Sequence, residues 1–187
     1  MQILSPAPVA GYFAFVLGVT AFLQKTDRRL KFFNASQSLI YALHFVMLGN
    51  LPASASSLIS SARSFLALRF KSFTLAVAIV AVYLAAGFVV VKSATGWLTV
   101  VASCVATVAI FTLTGIPLRL VLLCCTGAWL ANNILSRSIG GTLLEFSIAV
   151  INITTMIRMF QESNARPSSV AIASRTPSGT RTGFPIE

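Results

Sequence analysis

Seven apolar segments follow one another along this chain, and the connectors between them are only a few residues long. A transmembrane helix needs roughly 20 mostly apolar residues. Segments near that length lie at 8–24, 32–49, 52–69, 73–91, 97–114, 118–135 and 139–160. Charged residues make up 10% of the chain, whereas a soluble domain carries about 25%. The sequence therefore predicts an all-α integral membrane protein with seven transmembrane helices.

The distribution of basic residues predicts how these helices are oriented. In a soluble chain the formal net charge of +10 would suggest a nucleic-acid partner. Here the Lys and Arg residues lie between the apolar segments and after the last one. We interpret them as topology signals and contacts to anionic lipid headgroups, and we expect no nucleic-acid partner. No positive charge precedes the first segment, whereas Lys25, Arg28, Arg29 and Lys31 follow it. The positive-inside rule then places the N-terminus outside and the C-terminus in the cytoplasm.

Residue classes recur along the chain at a shift of 88 residues, at which Ser64 falls on Asn152. Two copies of three helices, joined directly, would face opposite ways across the membrane. One additional helix between them restores a common orientation. We therefore predict two parallel three-helix repeats, residues 8–70 and 97–160, joined by a linker helix at 73–91.

The last part of the chain is too polar to bury a hydrophobic core. Residues 161–187 are rich in Ser, Thr, Pro and Arg, and such a composition is typical of disorder. The predicted organisation is a membrane domain over residues 1–160, followed by a disordered cytoplasmic tail over residues 161–187.

The third segment is rich in Ser and Ala, and the spacing of these residues indicates a helix rather than a loop. Ser57, Ser60 and Ser64 recur every three or four residues, which places them on one helix face. Small residues let neighbouring membrane helices approach closely, as expected for the central helix of a three-helix bundle. The stripe is a packing surface, a polar wall of a permeation path, or both.

Three ionisable residues fall inside the predicted membrane segments, where such groups are costly and point to function. His44 and Glu145 are predicted at similar depths, where they can form a pair across the bundle interface. Alternatively, His44 only hydrogen-bonds a helix end near the headgroups. Arg63 is predicted near the middle of the bilayer. It either forms a structural ion pair with Glu145, extends to the cytoplasmic interface, or binds an anionic or polar substrate.

Neutral polar side chains extend the set of candidates for a substrate path. Asn132 lies on the sixth segment, and Asn152 lies two helical turns after Glu145 on the seventh, so Asn152 and Glu145 can face one cavity. The complete set of candidates is His44, Ser57, Arg63, Ser64, Asn132, Glu145 and Asn152.

The sequence offers little support for catalysis. It contains one His, no Gly-rich phosphate loop and no cluster of carboxylates. Cys104, Cys124 and Cys125 lie in apolar segments without metal-ligand spacing, and we interpret them as packing residues. We expect this chain not to be an enzyme and to bind no cofactor or metal.

Three runs of the sequence resemble the YgjV-type family of bacterial inner-membrane proteins: FLQKTDRRLK, LHFVMLGNLPASASSLISSARSFLALR and SRSIGGTLLEFSIAVINITTMIR. The resemblance covers Gly11 to Phe160, which is nearly all of the predicted membrane domain. It implies a location in the bacterial inner membrane and implies no particular substrate.

The three-one-three pattern is in turn similar to the SWEET and PQ-loop facilitators and to the nicotinamide riboside transporters. In these proteins paired three-helix bundles enclose a central path. The resemblance implies an Asn on the third helix of each bundle that faces the substrate; Asn152 fits this position in the second repeat, and the first repeat has Ser64 instead. A Pro-Gln pair is absent from the corresponding positions of both repeats.

Two classes of function follow from these observations. The first is a SWEET-like facilitator or transporter of a small polar metabolite, which rocks two three-helix bundles around a central site by alternating access. The second is a non-transporting membrane receptor or assembly factor on the same fold, with the basic loops and tail as its working surface. Polar residues that face a central cavity favour the first class, and a sealed apolar interface favours the second. The lipid bilayer is a partner in both, and no motif decides whether the chain forms a homo-oligomer.

Overall fold

A computed structural model describes residues 6–49, 51–91, 94–135 and 139–173 of the chain. Over these residues the chain forms helices that are joined by short connectors. The seven helices are α1 (Pro6–Leu23), α2 (Asp27–Met47), α3 (Leu51–Arg69), α4 (Phe73–Val90), α5 (Ala94–Thr112), α6 (Gly115–Leu135) and α7 (Ile139–Ala173).

The bounds of α2 and α7 differ most from the sequence-based expectation. α2 already begins at Asp27, whose carboxylate is favourable at a helix N-terminus because of the helix dipole. α7 continues beyond residue 160, where we expected a disordered tail, to Ala173. Glu162 is a good helix former, so the helix does not end where its apolar pattern ends. The rest of the predicted tail, residues 174–187, lies outside the described residues.

Within the described residues, three stretches are both long and apolar enough to cross a membrane, namely Phe73–Val90, Gly115–Leu135 and Thr142–Asn164. Val9–Leu23 and Gly96–Thr112 are shorter apolar helices. α2 and α3 are less apolar on average than the other helices, because polar side chains lie along their length.

Six of the seven helices form a closed ring. Neighbouring helices contact each other in the order α1, α2, α3, α5, α6, α7 and back to α1. α2 packs extensively against both α1 and α3, and α6 packs in the same way between α5 and α7. The expectation that α3 is the central helix of the first bundle is therefore wrong, since α2 holds that position. α4 lies outside the ring, mainly against α5.

The helix starts of the first half recur in the second half. Each of α5, α6 and α7 begins 88 residues after α1, α2 and α3, respectively. The paired first residues are Pro6 and Ala94, Asp27 and Gly115, and Leu51 and Ile139. α4 therefore occupies the interval between two sets of three helices with matching spacing.

Small residues of α1 make room for polar side chains of α2. Gly11, Ala14 and Gly18 lie on one face of α1, and Ala14 is fully buried. A Cβ atom on Gly11 would lie 3.1 Å from Cε1 of His44, and one on Gly18 would lie 3.1 Å from Cδ of Gln37. The absence of side chains at these two glycines lets α1 pack directly on the polar face of α2.

The serines of α3 serve mainly to join helices. Ser61 Oγ donates a hydrogen bond to the carbonyl oxygen of Ala35 in α2 (3.0 Å). The hydroxyls of Ser60 and Tyr83, in α4, lie 2.8 Å apart. The small-residue stripe thus acts as a packing surface on two sides of α3.

The outer surface of the helices is apolar. Phe88 and Val89 of α4 are 76% and 81% exposed, and exposed hydroxyls bond within their own helices. Thr20 and Ser147, for example, each donate to the carbonyl oxygen four residues earlier at 2.8 Å. Polar groups that are satisfied in this way tolerate contact with lipid.

The tight contact between α1 and α2 leads to a stability prediction. Replacing Gly18 with Leu forces the new side chain against the Gln37 amide, and such overpacking typically costs about 1–3 kcal/mol. We expect Gly18→Leu to lower the melting temperature of the detergent-purified protein by several degrees. Gly127→Leu is the matched control, because a Cβ atom there meets nothing within 4 Å. Equal melting temperatures for the two variants would contradict this account of the contact.

Candidate functional site

A cavity of about 130 Å³ lies at the centre of the helix ring. All six ring helices contribute to its wall, and α4 does not. The lining residues are Phe22, Leu30, Asn34, Gln37, Arg63, Ala106, Ile110, Leu122, Cys125, Thr126, Trp129, Glu145 and Ile148. An apolar wall with a few polar groups is typical of sites that bind small molecules. Its volume corresponds to about four water molecules.

Arg63 of α3 bonds to the neighbouring ring helix, α5. Its Nη1 atom donates to the carbonyl oxygen of Ser103 (3.0 Å) and to Oγ1 of Thr107 (3.0 Å). The guanidinium carbon lies 5.7 Å from the centre of the Tyr83 ring, which is close enough for a cation–π contact. Arg63 is therefore held between helices at a buried position, with only 8% of its surface exposed, and it does not extend to the interface.

Glu145 of α7 lies in the same cavity wall as Arg63. Among the described residues, no ion pair joins Glu145 to Arg63. The two charges of the cavity are thus separated, and the predicted structural ion pair of Arg63 with Glu145 is wrong.

Five of the predicted path residues are not part of the cavity wall. The ring of His44 lies against Gly11 and beside Phe45, with ring centres 5.3 Å apart. Ser57 and Asn132 are half-buried. The remaining two, Ser64 and Asn152, are fully buried between helices.

We refer to α1–α3 and α5–α7 as the two halves of the ring. Ser64 connects neighbouring helices in the first half, and Asn152 does so in the second. Ser64 Oγ accepts a hydrogen bond from Nδ2 of Asn34 (2.9 Å), and Asn34 itself lines the cavity. Asn152 Nδ2 donates to the carbonyl oxygen of Arg119 in α6 (2.9 Å), whereas its buried Oδ1 has no partner. Neither side chain faces outward, but Asn152 supports the α6–α7 contact instead of the cavity wall.

The two halves of the ring meet in a polar network where α2 and α6 begin, and we call this region the Asp27 end. Asp27 Oδ2 accepts a hydrogen bond from the backbone nitrogen of Gly115, the first residue of α6 (2.8 Å). Gly115 has a φ of 65°, which favours glycine. A helix N-terminus has unpaired N–H groups and a partial positive charge. Asp27 therefore caps a helix of the opposite half.

Arg119 ties α6 to the end of α1. Its guanidinium donates to the carbonyl oxygens of Phe22 (3.4 Å) and Gln24. Thr155 of α7 donates from Oγ1 to the same Phe22 carbonyl (2.9 Å). Because the Phe22 side chain also lines the cavity, this network lies directly beside the cavity.

Two basic residues of the Asp27 end are buried rather than exposed to headgroups. Arg119 is 0% exposed and Lys31 is 4% exposed. Lys31 Nζ donates to the carbonyl oxygen of Ala67 near the end of α3 (3.4 Å). The prediction that basic residues contact lipid headgroups is therefore wrong for these two residues, because both are buried and bond carbonyls near helix ends.

Comparison with known proteins shows to which family the chain belongs. The family Imp-YgjV, described as "Bacterial inner membrane protein", matches residues 7–163. "Inner membrane protein YgjV" of Escherichia coli (strain K12) is 30% identical over 151 residues, which are 81% of this chain and 82% of that protein. The chain belongs to the YgjV family of bacterial inner-membrane proteins. The resemblance to the YgjV-type family is thus confirmed, and the protein is a multi-pass protein of the bacterial inner membrane. No solved structure matches the chain.

One face of α2 in this YgjV-family protein is polar, and most of its residues were not among the candidates predicted from the sequence. Lys31, Asn34, Gln37, Tyr41 and His44 recur every three or four residues, which places them along one face of the helix. Asn34 and Gln37 contribute amides to the cavity. The three- and four-residue spacing of these side chains is the signal in the sequence that predicts such a face.

Two adjacent cysteines provide a test of the cavity. Cys125 lines the cavity, whereas Cys124 is exposed on the outer surface of α6. In native membranes we expect mercuric ion to modify Cys125 about ten times faster than Cys124, since thiolates form only where water has access. Each cysteine is left alone by replacing the other two with Ser, and blocked thiols are counted by maleimide labelling after denaturation. If mercuric ion modified Cys125 as slowly as Cys124, water would not reach the cavity.

Proposed function

We propose that this YgjV-family protein is a facilitator or transporter of a small polar metabolite, with all seven helices crossing the inner membrane. The observation that supports this proposal is the polar cavity at the centre of the ring. Ionised side chains are expensive inside a membrane, and well-packed apolar residues are often the more stable choice in a buried interface. A buried guanidinium and a separate carboxylate in one cavity are therefore better explained by solute binding than by scaffolding.

The helix arrangement favours two parallel repeats, α1–α3 and α5–α7, with α4 as the linker. The halves meet at two joints, α3 against α5 and α7 against α1. A two-fold rotation that superposes α1–α3 on α5–α7 exchanges these two joints. Parallel repeats around an axis along the membrane normal are an established transporter plan. With the N-terminus outside and the C-terminus inside, the Asp27 end lies at the cytoplasmic face.

In this proposal the Asp27 end is the cytoplasmic gate. The bonds of Asp27 to Gly115 and of Arg119 to Phe22 and Gln24 join opposite halves of the ring. Breaking them lets the halves rock apart at this end and opens the cavity to the cytoplasm. Alternating access then needs no large change within either half.

The experiment that tests the function is a binding and uptake screen with the full-length protein. Sugars, nucleosides, vitamins, amino acids and small carboxylates are screened for a rise in melting temperature, which a ligand of the folded state causes by mass action. Compounds that raise it are tested for uptake into proteoliposomes. We expect one compound class to pass both tests. Binding without uptake would favour the receptor or assembly-factor function, and no response from a cooperatively melting protein would contradict the transporter.

The gate leads to a separate prediction about access from the cytoplasmic side. Asp27→Ala removes a charge-assisted hydrogen bond, worth about 1.5–3 kcal/mol, and leaves Lys31 and Arg119 without their counter-charge. In inverted membrane vesicles we expect mercuric ion to modify Cys125 about tenfold faster in this variant, because 1.4 kcal/mol changes an equilibrium tenfold.

Lys25→Ala is the matched control for the gate. This substitution breaks the ion pair between Lys25 and Glu162, whose side chains are 35% and 57% exposed, respectively. Exposed ion pairs contribute little to stability. We expect its Cys125 rate to equal that of the wild type. An unchanged rate in Asp27→Ala as well would show that the Asp27 end does not control access to the cavity.

A further inference from the structure

The free edge of Arg63 indicates which chemical group the cavity binds. Only Nη1 of the guanidinium bonds to protein, through Ser103 and Thr107 of α5. Nε is buried without a partner, and Nη2 also has no hydrogen bond among the described residues. Nε and Nη2 form the edge of the guanidinium with which arginine binds a carboxylate through two parallel hydrogen bonds.

Glu145 supplies the opposite charge from the other half of the ring. Its carboxylate lines the cavity and, within the described part of the chain, makes no ion pair or hydrogen bond. A carboxylate in a site poor in water needs a cationic donor to offset its desolvation. An ammonium group provides both the charge and up to three N–H donors.

We infer that the cavity binds a small zwitterion, whose carboxylate pairs with Arg63 and whose ammonium pairs with Glu145. This inference rests on the proposed transport function and specifies its substrate. A simple anion would satisfy Arg63 and leave Glu145 unpaired, and a simple cation would do the reverse. A zwitterion satisfies both residues and adds no net charge to the membrane interior.

The size of the cavity restricts the zwitterion to the smallest members of its class. A volume of about 130 Å³ fits glycine or alanine and excludes amino acids with long or aromatic side chains, unless the ring opens. Asn34 and Gln37 add amide donors and acceptors to the wall, and Trp129 provides an aromatic face. The predicted substrate class is therefore the small neutral α-amino acids.

Trp129 makes binding measurable independently of transport. The chain has two tryptophans, so a Trp97→Phe background leaves Trp129 as the only one. Glycine, glycolate, ethanolamine and glycerol represent a zwitterion, an anion, a cation and a neutral solute of similar size. We expect glycine to change Trp129 fluorescence and to enter proteoliposomes, with half-saturation at a concentration at least tenfold lower than for the other three compounds.

Glu145→Gln tests the assignment of the two ends of the solute. The substitution preserves shape and removes the negative charge, so we expect weaker glycine binding by about tenfold and stronger glycolate binding through Arg63. Arg63→Lys keeps the charge but loses the two-bond edge, and we expect it to weaken both compounds. Glu162→Gln, an exposed position outside the cavity, is the control, and its glycine binding should equal that of the wild type.

The possible results separate the two proposals. Uptake of glycerol, glycolate or ethanolamine in preference to glycine, or glycine uptake that is insensitive to Glu145→Gln, would overturn the zwitterion assignment and leave the transporter in place. Absence of any uptake and of any fluorescence change in a cooperatively melting protein would overturn both. A gain of glycolate binding in Glu145→Gln would confirm the roles of both charges.

Discussion

The arrangement of the two halves depends on the hydrogen bond between the Asp27 carboxylate and the backbone of Gly115. Asp27 begins α2 and bonds the first backbone nitrogen of α6, which lies 88 residues further along the chain. Its charge also acts on Lys31 and Arg119, two buried cations from opposite halves. Asp27, at the boundary between the halves, thus offsets part of the desolvation cost of one buried cation from each half. Removing a single partner from a buried charge group is costly because the remaining charges stay desolvated.

Some buried polar atoms around the Asp27 end and the cavity have no hydrogen-bond partner among the described residues, and the proposed opening of this contact agrees with that. The described buried polar atoms that have no partner are Asp27 Oδ1, Arg63 Nε, Arg119 Nε and Asn152 Oδ1. All four lie in the cavity wall or around the Asp27 end, whereas native proteins leave few such atoms. Each lowers the stability of the arrangement seen here relative to one in which water or a solute satisfies it. In the proposed mechanism, a contact with such unsatisfied atoms needs less free energy to open than a fully satisfied one.

Helix number and most helix bounds followed from hydropathy, because membrane thickness limits segment length. The cost of charge in lipid made Arg63 and Glu145 candidates, and both line one cavity, but the sequence left the partner of Arg63 open. The roles of Lys31 and Arg119 did not follow, because a cation near a helix end can either contact headgroups or bond helix-terminal carbonyls. The choice depends on which helices are neighbours. The small residues of α3 likewise predict a central position for that helix. α2 holds the position instead, because it packs against both α1 and α3.

In the proposed rocking mechanism, the two repeats contribute different charges to the one cavity. At the 88-residue shift, Arg63 corresponds to Ile151 and Glu145 corresponds to Ser57, so neither charge has a counterpart in the other half. One half therefore contributes only the positive group to the cavity and the other half only the negative group. The proposed zwitterion would bridge the two halves while they are together. If the halves rock apart as proposed, both contacts lengthen at once, so the movement that opens the path would also weaken the binding of the solute.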